Sequence, residues 1–77
     1  MKILLVEDDA ETADYVARGL TEAGHLVDRA SDGREGLILA SDGGYDALVV
    51  DRMLPKLDGL GLVRALRAAG VKTPALF

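Results

Sequence analysis

The stretch "ILLVEDD", residues 3–9, decides the fold of this 77-residue chain. Four apolar residues run directly into three acids, which is typical of a buried strand that ends at a polar edge. Carboxylates this close together repel one another by about 1 kcal/mol per pair at 4 Å in water. We therefore expect something at the end of this strand to offset that repulsion.

Strand and helix patterns alternate on the C-terminal side of this stretch. The sequence predicts four strands, at residues 3–6, 25–30, 47–51 and 75–77. Apolar residues spaced by three and four predict three helices between them, at residues 10–23, 32–41 and 60–69. The order is therefore β-α-β-α-β-α-β within a single small domain.

The composition of the strands predicts their order in the sheet. Strand 3–6 is apolar throughout and strand 47–51 is apolar until its last residue, as in parallel strands that are covered on both faces. The charged residues of "VDR" mark strand 25–30 as an edge. The resulting order is 2-1-3-4. Right-handed crossovers then put the first helix on one face and the other two helices on the opposite face. The fold class is α/β, a doubly wound parallel sheet.

Three acids are expected to meet at one edge of this sheet. Glu7 and Asp8 end the first strand and Asp51 ends the third, and neighbouring strands lie about 4.8 Å apart. Ligands bind beyond the carboxyl ends of such strands, where the strand order reverses. Carboxylates suit a hard cation such as Mg²⁺, which leaves positions free for water and a phosphoryl group.

A purely structural reading of the same acids is that Asp8 caps the first helix with Glu11 at its third position, and that Asp9 is a first-turn acid. That interpretation explains neither Glu7, which ends a strand, nor Asp51, which begins no helix. The cation site is therefore favoured, with Asp9 kept as a helix-start residue.

The sequence resembles the receiver domain of bacterial two-component response regulators. The resemblance lies in "ILLVEDD", "ALVVD" at 47–51 and "RMLPKLDG" at 52–59, and "DRMLPKLDG" is most similar to regulators with a winged-helix DNA-binding domain. It implies a flavodoxin-like fold, a cytoplasmic signalling role rather than an enzyme, and a sensor histidine kinase as phospho-donor. It also implies that Asp51 is the phospho-acceptor, a carboxylate nucleophile. The implied ligands of Mg²⁺ are Glu7 through water, Asp8, Asp51 and the backbone carbonyl of Met53.

On this resemblance, residues 1–77 are the N-terminal part of a truncated receiver domain, without the fifth strand and the last two helices. The family's phosphoryl-contacting hydroxyl and its lysine would follow Phe77, so we expect phosphorylation of these residues alone to be impaired. Nine scattered basic residues and a net charge of -4 predict no direct contact with nucleic acid, so DNA would be bound through a missing effector domain. No apolar run is long enough for a membrane span.

Two other functions stay open. One is a Mg²⁺-dependent phosphatase with an aspartate nucleophile, but such enzymes carry a DxD pattern on the first strand, and "EDDAE" lacks that context. The other is an interaction or assembly module without chemistry.

The incomplete cover of the sheet and the free edge of its fourth strand predict a homo-oligomer, most simply a two-fold dimer.

Overall fold

The computed structural model describes all 77 residues as four strands and three helices in the predicted order. The strands are β1 (Lys2–Val6), β2 (Leu26–Ala30), β3 (Ala47–Val50) and β4 (Ala75–Leu76). The helices are α1 (Ala10–Glu22), α2 (Gly33–Asp42) and α3 (Gly59–Ala68). No element bound differs from the sequence prediction by more than one residue, and Asp51 lies just beyond β3 rather than within it.

The sheet is parallel throughout and has the predicted order β2-β1-β3-β4. Leu4 of the central strand stands opposite Asp28 on one side and Leu48 on the other. The last four residues of β1 are all buried, whereas β2 is mostly exposed, with Leu26 at 73 %. The charged residues of β2 therefore predicted correctly that this strand lies at an edge of the sheet.

The main hydrophobic core lies between the sheet and the helices α2 and α3. Its fully buried side chains are Leu4, Val6, Leu48, Val50, Leu62 and Leu66. Each contributes on the order of 1.5–3 kcal/mol through burial. The α1 side is thinner, because Ala13 is the one buried residue of that helix.

An aspartate caps the N-terminus of every helix. Asp9 accepts a hydrogen bond from the Thr12 N–H at 3.0 Å, and Asp32 and Asp58 accept equivalent bonds from the third residue beyond them. The hydroxyl and the N–H of Thr12 hold the pKa of Asp9 below its ordinary value. The alternative in which Asp8 is the cap is therefore wrong, and the Asp8 carboxylate is left free for another role.

A side-chain hydrogen bond joins β2 to the short segment between α2 and β3. The Tyr45 hydroxyl donates to Asp28 Oδ2 at 2.6 Å, and Lys2 Nζ lies 4.9 Å from the centre of the Tyr45 ring. Burial, followed by the hydrogen bond to Asp28, raises the pKa of Tyr45 to about 12.

We expect Tyr45→Phe to lower the free energy of unfolding by about 1–2 kcal/mol at pH 7, because a hydrogen bond to a carboxylate is lost. Folding raises the pKa of this hydroxyl from 10.0 to about 12, so its contribution is complete below pH 10 and is lost as the pH rises to about 12. The variant should lack that alkaline loss. Urea unfolding across this pH range measures both effects. Tyr15→Phe is the control, because Tyr15 is 82 % exposed; equal effects of the two substitutions would contradict the prediction.

None of the three helices combines the length and the apolar character that a membrane span requires.

Leu76 and Phe77 at the β4 edge are 67 % and 57 % exposed. The homo-oligomer stays a prediction that light scattering coupled to size exclusion would test.

Candidate functional site

Three carboxylates converge at the carboxyl edge of the sheet. Oxygen atoms of Glu7, Asp8 and Asp51 all lie within 4.8 Å of one another. The backbone explains why: the Asp51 N–H donates to Val6 O at 2.9 Å, and the Glu7 N–H donates to Ala30 O at 3.0 Å. Strand pairing thus continues one residue beyond β1 and β3, and the predicted convergence of the three acids is confirmed.

No basic side chain lies within ion-pairing distance of the carboxylates of this cluster. The two ion pairs of the structure are Arg29–Asp14 and Lys56–Asp32, and neither includes a residue of the cluster. Partial burial raises the pKa of Glu7, and neighbouring Asp51 and Asp8 raise it further, while a hydrogen bond from the Asp9 N–H opposes the shift. A set of oxygen donors with uncompensated negative charge suits a divalent cation such as Mg²⁺.

The orientation of the Asp51 carboxylate is set by the loop that follows it. The Met53 N–H donates to Asp51 Oδ1 at 3.0 Å, which is the hydrogen bond that this carboxylate accepts from the backbone. The Met53 side chain is 82 % exposed, so this residue acts on Asp51 through its main chain. Met53, the fourth residue predicted for the site, therefore lies next to Asp51, and the role of its carbonyl as a ligand stays a prediction.

Two glycines of this region, Gly33 and Gly59, leave no room for a side chain, and the sequence does not predict that role. A Cβ at Gly59 would lie 2.5 Å from Asp51 O, and a Cβ at Gly33 would lie 1.7 Å from Leu57 O. The signal that could have found them is the pair Asp-Gly, which occurs at the start of both α2 and α3.

An open groove of about 380 Å³ runs from the acid cluster along the α1 side of the sheet. Glu7, Asp51 and Arg52 lie at its polar end, and Val16 and Val49 are among its apolar walls. The acids therefore stand at the border of an apolar surface and are open to an approaching molecule.

The family model for the response regulator receiver domain matches residues 3–77. The chain belongs to the response regulator receiver family. This receiver domain is 49 % identical over 76 residues to the "Probable transcriptional regulatory protein SilR" of Salmonella typhimurium. It is 47 % identical over 76 residues to the transcriptional regulatory protein CusR of Escherichia coli K12. Both alignments cover 99 % of this chain, which spans about a third of the length of these relatives, 33 % and 34 %.

Solved structures confirm the predicted fold of the receiver domain. The receiver domain of the Francisella response regulator 1452 matches with a TM-score of 0.93 and 36 % identity, over 96 % of this chain and 61 % of that one. The receiver domain of the Pseudomonas aeruginosa sensor histidine kinase PA1611, described with a magnesium ion in its active-site cleft, matches with a TM-score of 0.91 and 34 % identity. That match covers 96 % of this chain and 62 % of the other.

Proposed function

We propose that this receiver domain accepts a phosphoryl group on Asp51 from a sensor histidine kinase, with Mg²⁺ held by Glu7, Asp8, Asp51 and the backbone carbonyl of Met53. The observation that carries the proposal is the convergence within 4.8 Å of three carboxylates, none of which forms an ion pair with a basic side chain. Such a cluster is costly unless a cation joins it.

Within this proposal Asp51 is the nucleophile. The Met53 N–H bonds to Oδ1 and fixes the carboxylate plane, which leaves Oδ2 as the attacking atom. An oxygen–phosphorus bond forms at Oδ2 while the bond from phosphorus to the donor's histidine nitrogen breaks, and that nitrogen leaves with the electron pair. Bound Mg²⁺ would neutralise charge on the phosphoryl oxygens. Glu7 and Asp8 hold the cation and take no part in bond making.

The output that we propose is regulation of transcription, since SilR and CusR are named as transcriptional regulatory proteins. DNA would be contacted by a segment outside these 77 residues, because their net charge is -4 and their basic residues form no stripe. We regard the chain as a signalling acceptor and not as an enzyme. The rival phosphatase is less favoured because Asp51 follows β3, whereas those enzymes place the nucleophile after the first strand.

Incubation with acetyl phosphate and Mg²⁺, followed by peptide mass mapping, tests the proposal. We expect a single phosphoryl adduct on Asp51 that is abolished by a chelator. Labelling should stay below one group per chain, because no cationic side chain pairs with Asp51 to share the nearly two negative charges that are added. An adduct on Asp8 or Asp9, or labelling that does not need Mg²⁺, would overturn the assignment.

A further inference from the structure

The start of α2 lies against the loop between β3 and α3, residues 51–58, with no space between the two backbones. A Cβ at Gly33 would come within 1.7 Å of Leu57 O and 2.7 Å of its carbonyl carbon. A real Cβ cannot occupy that position unless the loop or the helix moves. Lys56 Nζ also lies 3.5 Å from Asp32 Oδ2, next to this contact.

The part of the loop that touches α2 is itself held in an unusual conformation. Lys56 has a φ of +70°, and it is the one non-glycine residue with a positive φ. The Leu57 N–H donates to Pro55 O at 2.8 Å, which closes a three-residue turn around Lys56. A residue with a side chain persists in this backbone region only when its surroundings hold it there.

The other end of the loop lies against the acid cluster. The Gly59 N–H donates to Arg52 O at 3.0 Å, and Gly59 packs directly against the carbonyl of Asp51. The Met53 N–H bonds to the Asp51 carboxylate. The loop is therefore held at two places, and a shift at Leu57 acts on a short segment whose other end carries Met53 and Asp51.

We propose that Gly33 and the left-handed Lys56 are positioning residues, which hold the loop so that the Met53 carbonyl and Asp51 face Mg²⁺ together. This inference rests on the function proposed above. Neither residue touches the cation or the phosphoryl group, and both act through the path of the loop backbone.

The first test compares three glycine substitutions in the full 77-residue chain. Gly33→Ala drives a Cβ into the loop, whereas Gly36→Ala, one turn further along α2, crowds only side chains of Val6 and Leu62. Gly19→Ala meets nothing within 4 Å. Mg²⁺ alone is titrated while the amide resonances of Asp51 and Met53 are followed by nuclear magnetic resonance. We expect about tenfold weaker Mg²⁺ binding in Gly33→Ala and wild-type affinity in the other two.

A second pair of variants tests the positioning role even if Gly33→Ala does not fold. Lys56→Val and Lys56→Asn both remove the ammonium group that faces Asp32. They differ because asparagine tolerates the left-handed backbone and a β-branched valine does not. Lys56 is exposed, so neither substitution disturbs the core. We expect Lys56→Val to weaken Mg²⁺ binding at least threefold relative to Lys56→Asn.

The outcomes separate this inference from the proposed function. A wild-type chain that does not bind Mg²⁺ overturns the proposed function, and the inference with it. Normal binding by the wild type, together with equal affinities for Lys56→Val and Lys56→Asn, overturns the positioning role alone. Equal weakening of Mg²⁺ binding in Gly33→Ala and Gly36→Ala also overturns the positioning role, because a general loss of packing would then explain the weaker binding of both variants.

Discussion

Leu4→Ala is expected to lower the free energy of unfolding by about 3 kcal/mol. Leu4 is fully buried in the middle of the central strand, between β2 and β3, and belongs to the core cluster that α2 and α3 cover. Domains of this size rarely have more than about 3–5 kcal/mol of stability. The variant should therefore be largely unfolded near room temperature, and urea denaturation followed by circular dichroism measures the loss.

Leu26→Ala is the matched control for this prediction. It removes the same atoms from a neighbouring strand, but Leu26 is 73 % exposed. We expect a change within about 0.5 kcal/mol, as is usual for surface substitutions. Similar losses in the two variants would mean that the α2 and α3 side of the sheet is not the main source of stability.

Asp51→Asn is expected to abolish phosphoryl labelling and to weaken Mg²⁺ binding at least tenfold, a loss of about 1.4 kcal/mol or more. The amide has neither the charge nor the nucleophilic oxygen of the carboxylate. Without Mg²⁺ the variant should be no less stable than the wild type, because the charge of Asp51, which raises the pKa of Glu7, is removed. Mass mapping, a Mg²⁺ titration and thermal unfolding measure the three quantities.

Asp58→Asn makes the same chemical change one loop away. Asp58 caps α3 by accepting a hydrogen bond from the Gly61 N–H at 2.7 Å, and asparagine caps helices about as well. We expect labelling and Mg²⁺ affinity to stay within about threefold of the wild type, because the residue lies outside the cluster. If Asp58→Asn lost as much as Asp51→Asn, total charge rather than position would govern the site.

The alternation of elements, the strand order and the meeting of the acids could be predicted from the sequence. The charged residues of "VDR" favour an edge position for β2, because burying unpaired charge is costly, and the longer apolar runs of β1 and β3 suit the middle of the sheet. Once the order is known, acids that directly follow β1 and β3 must lie near one another. Glu7, Asp8 and Asp51 were therefore predictable as a cluster, and the structure confirms that they are one.

The choice of helix cap was not decided by the sequence. Asp8 and Asp9 both precede α1, and both are good caps by residue type. The extended backbone at Asp9 and the position of the Thr12 N–H select Asp9. That selection depends on the backbone conformation between β1 and α1, which residue type alone does not fix.

Contacts between residues that are distant in the sequence were decided by the tertiary structure alone. The Tyr45 hydroxyl reaches Asp28 across 17 positions, and Gly33 meets Leu57 across the whole of β3. No periodicity in the sequence marks such pairs, because each depends on how closely one packed element approaches another. The sequence by itself determined which acids meet, and the tertiary packing of α2 against the loop after β3 decided how the backbone beside them is held.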